Sequence, residues 1–472
     1  MKENRELDEF EEEYGGGTKN GEHHVNKMGE MSINRLIFSM SWPAVLSMFI
    51  QSLYNIVDSI WVAQLGTDAI TAVSLAFPLQ NIILSVGVGM GVGVGSLLSM
   101  ALGAGHQEEA NRIASLGVFL TLIHCLIFIG LGLVITRPFL ALFTSDPQIL
   151  GWSCDYTYIV LLLSFGELLQ MCFEKIFQGL GRMKTTMFLM ASGCVINIVL
   201  DPVLIFGWFG FPALGVAGAA LATVIGQIAA MFLYCIVYCR QHIGITIRLR
   251  DMKPQGSIIR RIYGIGGPSS LMLSMPSLLT GILNGILTQF DAVYVAVFGL
   301  YYKLQTFVNM PANGVIQGMR PIISYNYGAG EHARVTETIR YGLRLIACIM
   351  LIGTLTALLI PGPILRIFDA DETLLAYGVP ALRIIGPSFL LSSVGIVASG
   401  VFEALGRGRS SLLISLLRQL IIIVPLGWIL SRWIGPIGIW IAFPAAELVS
   451  SLVAVRMLRS VTIRKESSHE GK

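Results

Sequence analysis

The stretch Leu180-Gly181-Arg182-Met183-Lys184-Thr185-Thr186 returns 225 residues later as Leu405-Gly406-Arg407-Gly408-Arg409-Ser410-Ser411. In both places it separates one apolar run from the next. The same offset pairs Pro43 with Pro268, Leu79-Gln80 with Leu304-Gln305, and Gly103-Ala104-Gly105 with Gly328-Ala329-Gly330. Pro138, Phe143 and Asp146 meet Pro363, Phe368 and Asp371. The register slips only in the last two spans, where Gly215 and Gly218 stand opposite Gly435 and Gly438. A gap-free register of this length marks a duplicated unit.

Composition says what is duplicated. Of 472 residues, 54% are hydrophobic and 13% charged, where soluble domains carry roughly 25% charged residues. Apolar runs of ~20 residues, the length that crosses a bilayer as helix, follow one another from about Ile37 to just before Arg459. The expected fold is an all-α polytopic membrane protein of about twelve transmembrane helices, in two pseudo-symmetric six-helix bundles. An even number of spans per copy gives both copies the same orientation, with a cleft between them as the expected transport path.

The polar, Glu-rich residues 1–32 are expected as a disordered cytosolic tail, with no cleavable signal peptide. The N-terminal bundle is expected at 33–240, a cytosolic linker at 241–259, the C-terminal bundle at 260–460 and a cytosolic tail at 461–472. Arg and Lys crowd the breaks after the even-numbered spans, as at Arg182 and Lys184 or Arg260 and Arg261, and nearly desert the others. The positive-inside rule therefore places both termini in the cytosol. The seven cysteines lack metal-ligand spacing and read as small apolar packers.

The repeat also isolates what is needed only once. Asp58 stands opposite Leu283, Asn197 opposite Ile422 and Asp201 opposite Leu426. An ionisable residue inside a span is a functional-site hypothesis, and this group belongs to the first copy alone. Asn197 and Asp201, four apart, share one helix face. Asp201 lies ~24 Å along its span from Thr185, Asp58 ~34 Å along its own from Arg35, and Thr223 ~12 Å in from Gly215. All four reach a similar depth toward the outer side. Two carboxylates meeting in a low-dielectric pocket would titrate as a coupled pair. Such a pair could hold a proton, or Na⁺ with oxygens from Asn197 and Thr223. The alternative reading leaves Asp58 and Asp201 separately hydrated at the outer interface.

With these residues in view the chain resembles the multidrug and toxic compound extrusion (MATE) family, in its bacterial DinF-like or MepA-like branch. The resemblance rests on Tyr54-Asn55-Ile56-Val57-Asp58 with Trp61-Val62, on Asn197 to Pro202, on the doubled Gly-Ala-Gly, and on Leu405-Gly406-Arg407 and Pro311-Ala312-Asn313. It covers the chain from about Ile33 to Arg459. It implies a V-shaped pair of six-helix bundles acting as a cation-coupled antiporter (H⁺ or Na⁺) of a bacterial inner membrane, exporting small organic cations or amphipathic drugs. The family's cation-site residues fall on Asp58, Asn197, Asp201 and Thr223, and a proline at which the first helix bends falls on Pro43. Other branches keep acidic residues in spans seven and eight of the second bundle. Lys303 stands in the eighth span here, so no cation site is expected there.

Gln80, Glu167, Met171, Lys303 and Gln305 are candidates for lining the substrate cleft. For Glu167, Lys303, Arg418 and Glu447, a buried structural pair or snorkelling to the interface is an equal alternative. Gly87, Gly89, Gly91, Gly93 and Gly95 lack the strand and Lys-Ser/Thr of a phosphate loop and read as a close-packing stripe. No nucleophile–base set appears, so no enzyme is expected. No cofactor and no nucleic-acid partner is implied, and a monomer is expected. The rival function is a flippase for a lipid-linked saccharide, whose cleft would need several basic residues.

Overall fold

The computed structural model describes residues 27–463, save residues 242 and 369. Among them all regular structure is helical, and the chain is a multi-pass membrane protein of about twelve spans. The first repeat comprises α1 (Ile33–Ala63), α2 (Thr67–Gly103), α3 (Gln107–Leu140), α4 (Pro147–Leu162), α5 (Phe165–Gly179), α6 (Met183–Phe206) and α7 (Val216–Arg240). The second comprises α8 (Gly256–Leu287), α9 (Ala292–Gly328), α10 (His332–Leu359), α11 (Pro361–Ile367), α12 (Glu372–Ile385), α13 (Pro387–Ala404), α14 (Gly408–Leu416), α15 (Ile423–Ile434) and α16 (Ile437–Ile463). Helices α4 and α5 form one broken span, and α12 with α13 form its counterpart, broken at Gly386-Pro387.

The matched motifs do matched work. Asp146 and Asp371 each cap a helix, accepting from the backbone N–H of Gln148 and Ile149 and of Leu374. Such caps contribute typically ~1 kcal/mol. The Gly-Ala-Gly and Leu-Gly-Arg turns both need a residue at positive φ, supplied by Gly105 and Gly330 (φ 74° and 79°) and by Gly181 and Gly406 (79° and 75°). The late slip in register has a local cause. The loop 207–215 before α7 is reduced to 435–436 in the second copy, and one π turn at Leu417–Ile421 partly offsets the loss. Pro425 lacks the N–H that would bond Ile421, which accounts for that turn.

Residues 27–32 depart from the disordered tail expected over 1–32. Lys27–Glu30 form a helical turn, and Met28 is buried. The Met28 carbonyl accepts from Asn326 Nδ2 (3.0 Å) and Arg334 Nη2 (3.1 Å), which ties the segment to the second bundle. Residues 1–26, and 464–472 of the expected C-terminal tail, lie outside the described residues. Helix α8 begins at Gly256, ahead of the expected start of the second bundle at 260. The segment before it is pinned along α3, with Thr246 N–H on Asn111 and Arg248 N–H on Ser115.

The bundles meet backbone to backbone in the half of the molecule nearer the termini. A Cβ on Gly93 would fall 2.6 Å from the Ile262 carbonyl oxygen, and one on Gly89 would strike Gly266 and Ser270 of α8. Gly103 abuts the Tyr325 carbonyl, Gly328 that of Met100, Gly314 the backbone of Val45 and Gly318 that of Ser41. The other face of the glycine stripe, Gly87, Gly91 and Gly95, receives Met171 and Lys175 of α5. Small residues at four-residue spacing thus seat α2 between two partners. Helix α1 joins the bundles differently. Ile33, Leu36, Ile37 and Met40 belong to the core of the second bundle, whereas beyond Pro43 its residues from Gln51 to Ser59 line a cavity of the first.

The large cavity is lined by residues of the first bundle alone. Across the repeat, Val73, Ala76, Ser164, Ala220 and Thr223 correspond to Phe298, Tyr301, Phe389, Trp440 and Phe443, and those five rings stack on one another at centroid separations of 5.2–6.3 Å. Gly193 corresponds to Arg418, and Gln227 to Glu447. The Arg418 guanidinium donates through Nε (3.1 Å) and Nη2 (3.0 Å) to Glu447 Oε1. Glu447 is buried and Arg418 nearly so, with side chains 8% and 12% exposed, so the two form a structural pair inside the second bundle.

Two outcomes follow. Gly103→Val should lower the thermal unfolding midpoint of the purified protein by several degrees, overpacking costing ~1–3 kcal/mol. Gly264→Ala, with nothing within 4 Å of the added carbon, should not. Arg418→Met alone should destabilise by ~3–5 kcal/mol, because it strands a buried carboxylate, whereas Arg418→Met with Glu447→Leu should come close to neutral. Unfolding midpoints of the three proteins check this.

Candidate functional site

Helix α6 runs unbroken through Asn197, Asp201 and Pro202. Its four-residue spacing puts both polar side chains on the face turned to α7, where Asn197 is 2% and Asp201 0% exposed. Asn197 Nδ2 donates to Asp201 Oδ1 (3.3 Å) and to Thr223 Oγ1 on α7 (3.3 Å). Both bonds are longer than the usual 2.7–3.2 Å. Gly193 and Gly226 pack against each other one turn away and let the two helices approach this closely.

Asp58 arrives from α1. It is half-buried, lines the same cavity as Asn197 and Thr223, and lies within electrostatic reach of Asp201, which sits behind them. The structure therefore brings together all four residues of the expected cluster. Their acceptors are under-filled: Asp58 Oδ1, Asn197 Oδ1 and Asp201 Oδ2 are buried without a hydrogen-bond partner among the described residues. Carboxylate and amide oxygens only accept, so these three could take a donor or a hard cation. No cluster of three or more His, Cys, Asp or Glu suited to a bound metal occurs among the described residues.

Aromatic residues close this pocket on the side away from the termini. Trp61, one turn beyond Asp58, stands edge-on to Phe206 and to Trp208 of the 207–215 loop, each at 6.0 Å. That loop is the insertion which the second repeat lacks. On the other side the cluster opens into a cavity of about 410 Å³ within the first bundle.

The cleft candidates divide. Gln80, Glu167 and Met171 line the cavity. Gln80 Nε2 donates to the Tyr156 hydroxyl (3.2 Å), and that hydroxyl lies within reach of Asp58, Asp201 and Glu167. Lys303 is exposed on α9 and Gln305 half-buried there; neither lines the cavity. Matching positions in the repeat did not give Gln305 the role of Gln80, because the second bundle is filled with rings at this level. Pro43 is buried within a continuous α1.

Tyr54, Tyr156, Glu174 and Gln227 also line the cavity and were not foreseen. Nor were Glu174, Lys175, Arg320 and Glu403 counted among the charges inside spans, although all four lie there. Glu174-Lys175 reads as one neutral pair in an apolar run and drew no notice. Glu403, opposite Gln178 in the repeat, was legible as an asymmetry.

Comparison with known proteins agrees with this architecture. The MatE family model matches twice, over residues 43–203 and 268–429, starting at the paired prolines. The multidrug export protein MepA of Staphylococcus haemolyticus is 26% identical over 92% of this chain and 95% of its own. MepA of a bovine Staphylococcus aureus strain is 24% identical over 89% and 92%. Among solved structures, the MATE multidrug transporter DinF-BH is 31% identical, with a TM-score of 0.84 over 94% of this chain and 98% of that one. A MATE protein in the bent conformation gives 0.88 at 24% identity, covering 95% and 99%. With both halves matched by the family model and the whole fold shared, the chain belongs to the MatE family of transporters.

Proposed function

We propose that the protein is a cation-coupled antiporter, driven by H⁺ or Na⁺, that exports organic cations and amphipathic drugs across a bacterial plasma membrane. The observation that carries this reading is the buried trio of unpaired acceptors on Asp58, Asn197 and Asp201 at the edge of a cavity. The cavity lining adds carboxylates at Glu167 and Glu174 and contains no Lys or Arg. Such a surface attracts cations and repels the phosphates of a lipid-linked saccharide, which disfavours a flippase. The relatives' names, multidrug export protein and multidrug transporter, point the same way.

The charge pattern of the loops puts the termini, and with them the closed half, in the cytosol. The cavity then communicates with the outside. A cation entering there fills the vacant coordination of Asp58, Asn197, Asp201 and Thr223 and removes the repulsion between the carboxylates. Helix α1 carries Asp58 at one end and packs into the second bundle at the other. A bend at Pro43 would transmit the change from the site to the bundle interface, expel substrate outward and release the inner closure. Opening to the cytosol delivers the cation and admits new substrate.

Vesicles loaded with a fluorescent organic cation, with a Na⁺ or a pH gradient imposed separately, test the reading. One of the two gradients should drive efflux by the unmutated protein, and Asp58→Asn and Asp201→Asn should abolish it while both variants insert normally. Efflux at the unmutated rate in either variant would show the site to be misplaced. Transport of labelled lipid precursors without dye efflux would favour the flippase. Orientation is checked by fusions to the C-terminus: a fluorescent-protein fusion should glow and an alkaline phosphatase fusion should be inactive.

A further inference from the structure

Where the bundles touch at the closed end lie two ion pairs, one from each repeat. On α5, Lys175 Nζ donates to Glu174 Oε1 (2.8 Å) and Gln178 Oε1 (3.1 Å), and Gln178 Nε2 donates to the same Glu174 oxygen (2.8 Å). Facing them, Arg320 Nη2 of α9 pairs with Glu403 Oε2 of α13 at 2.5 Å, and Ser269 Oγ of α8 donates to the other Glu403 oxygen at 2.6 Å. Lys175, Gln178, Gln317 and Arg320 line one void of about 20 Å³ between the bundles, roughly the room for one water. Lys175 lies over Gly91 and Gly95, and Gly95 is the repeat counterpart of Arg320. Two cations therefore face a single small void between the bundles, each held neutral by its own carboxylate. Arg320 Nε has no partner among the described residues, so the layer is incompletely satisfied.

Glu174 belongs to two places at once. Its side chain holds Lys175 at the bundle interface and also lines the cavity that contains Asp58 and Glu167. We propose that Glu174 is a further contact for the coupling cation, and that through Lys175 it ties occupancy of the cavity to closure of the opposite end. The proposal rests on the antiporter reading. A cation that enters from the open side and engages the Glu174 carboxylate takes the counter-charge away from Lys175. Lys175 is then left without a counter-ion beside the Arg320–Glu403 pair, and an uncompensated charge between packed helices is costly. The bundles separate at this end. Loss of the cation returns Glu174 to Lys175 and restores the closure. The sense suits an antiporter, in which the incoming cation must open the inner side.

The test reads distance at the closed end. Glu108→Cys and Ala333→Cys place spin labels on exposed first turns of α3 and α10, in a protein whose native cysteines are replaced by serine. Electron double resonance in nanodiscs is compared in choline buffer, in Na⁺ and at acid pH. In the protein with Glu174 and Lys175 intact, the coupling cation should lengthen the separation by about a helix diameter, ~10 Å. Glu174→Gln should be long without cation and unresponsive to it. Glu174→Gln with Lys175→Met should return to the short distance. Lys175→Met alone, which strands no cation, should stay short in the cation's presence. A short and still responsive Glu174→Gln, a double variant that stays long, or a Lys175→Met protein that still lengthens would each overturn the proposal. Failure of the antiporter reading shows separately, as absence of gradient-driven efflux by the unmutated protein.

Discussion

Backbone lies directly on backbone where Gly103 meets the Tyr325 carbonyl and Gly328 meets that of Met100, and the rest of the molecule depends on this contact. In hydrocarbon there is no hydrophobic force between helices, so association relies on close packing. Glycine supplies the closest packing a helix allows. Because the seam is confined to the half nearer the termini, the other half is free to hold a cavity. The seam also contains few polar bonds, such as Ser41 Oγ to the Val315 carbonyl at 3.4 Å. Shape complementarity of this kind is lost all at once when the surfaces part, a property suited to an interface that must both hold and open.

Duplication supplied two equal bundles, and side-chain size made them unequal. Turns, caps and span breaks recur because each solves a backbone problem that each copy must solve. The interiors are free of that requirement. Where the second copy has Phe298, Tyr301, Phe389, Trp440 and Phe443, the first has small residues, two of which, Val73 and Thr223, line the cavity while Ala76 and Ala220 pack into the core beside it. Arg418 and Glu447 fill the level at which the first copy has Gly193 and Gln227. At these levels the second bundle is filled by side chains. Helix α1 takes part in both bundles: its start lies in the second bundle's core and its end carries Asp58 over the cavity.

The repeat and the four-residue polar cluster were legible in the sequence because both are anomalies against a simple background. A carboxylate in an apolar span, absent from the matching position of the other copy, has few structural explanations. What escaped notice was whatever the sequence presents as balanced. Glu174 and Lys175 are adjacent and cancel in any charge count, yet one faces the cavity and the other the bundle seam. Arg320 and Glu403 are 83 residues apart, and only the folded chain pairs them. Lys303 and Gln305 were cleft candidates as polar residues within a span, and neither lines the cavity. Residues 27–32 were assigned to the tail by composition, which says nothing of the socket that Asn326 and Arg334 provide for Met28.

The unpaired acceptors at Asp58, Asn197 and Asp201 are costly, and their cost bears on whether the site can drive a conformational change. A buried polar group without a partner is destabilising by ~1–3 kcal/mol, more when charged. Moving a two-state equilibrium from one extreme to the other, 1:99 to 99:1, takes about 5.5 kcal/mol of differential binding. On the proposed function, a proton or hard cation that satisfied all three acceptors in one state and not in the other would supply differential binding of that order. Had Asn197 and Thr223 satisfied Asp201 fully, the cluster would be more stable and could drive nothing. The 3.3 Å bonds from Asn197 place the cluster between those limits, ordered but not saturated.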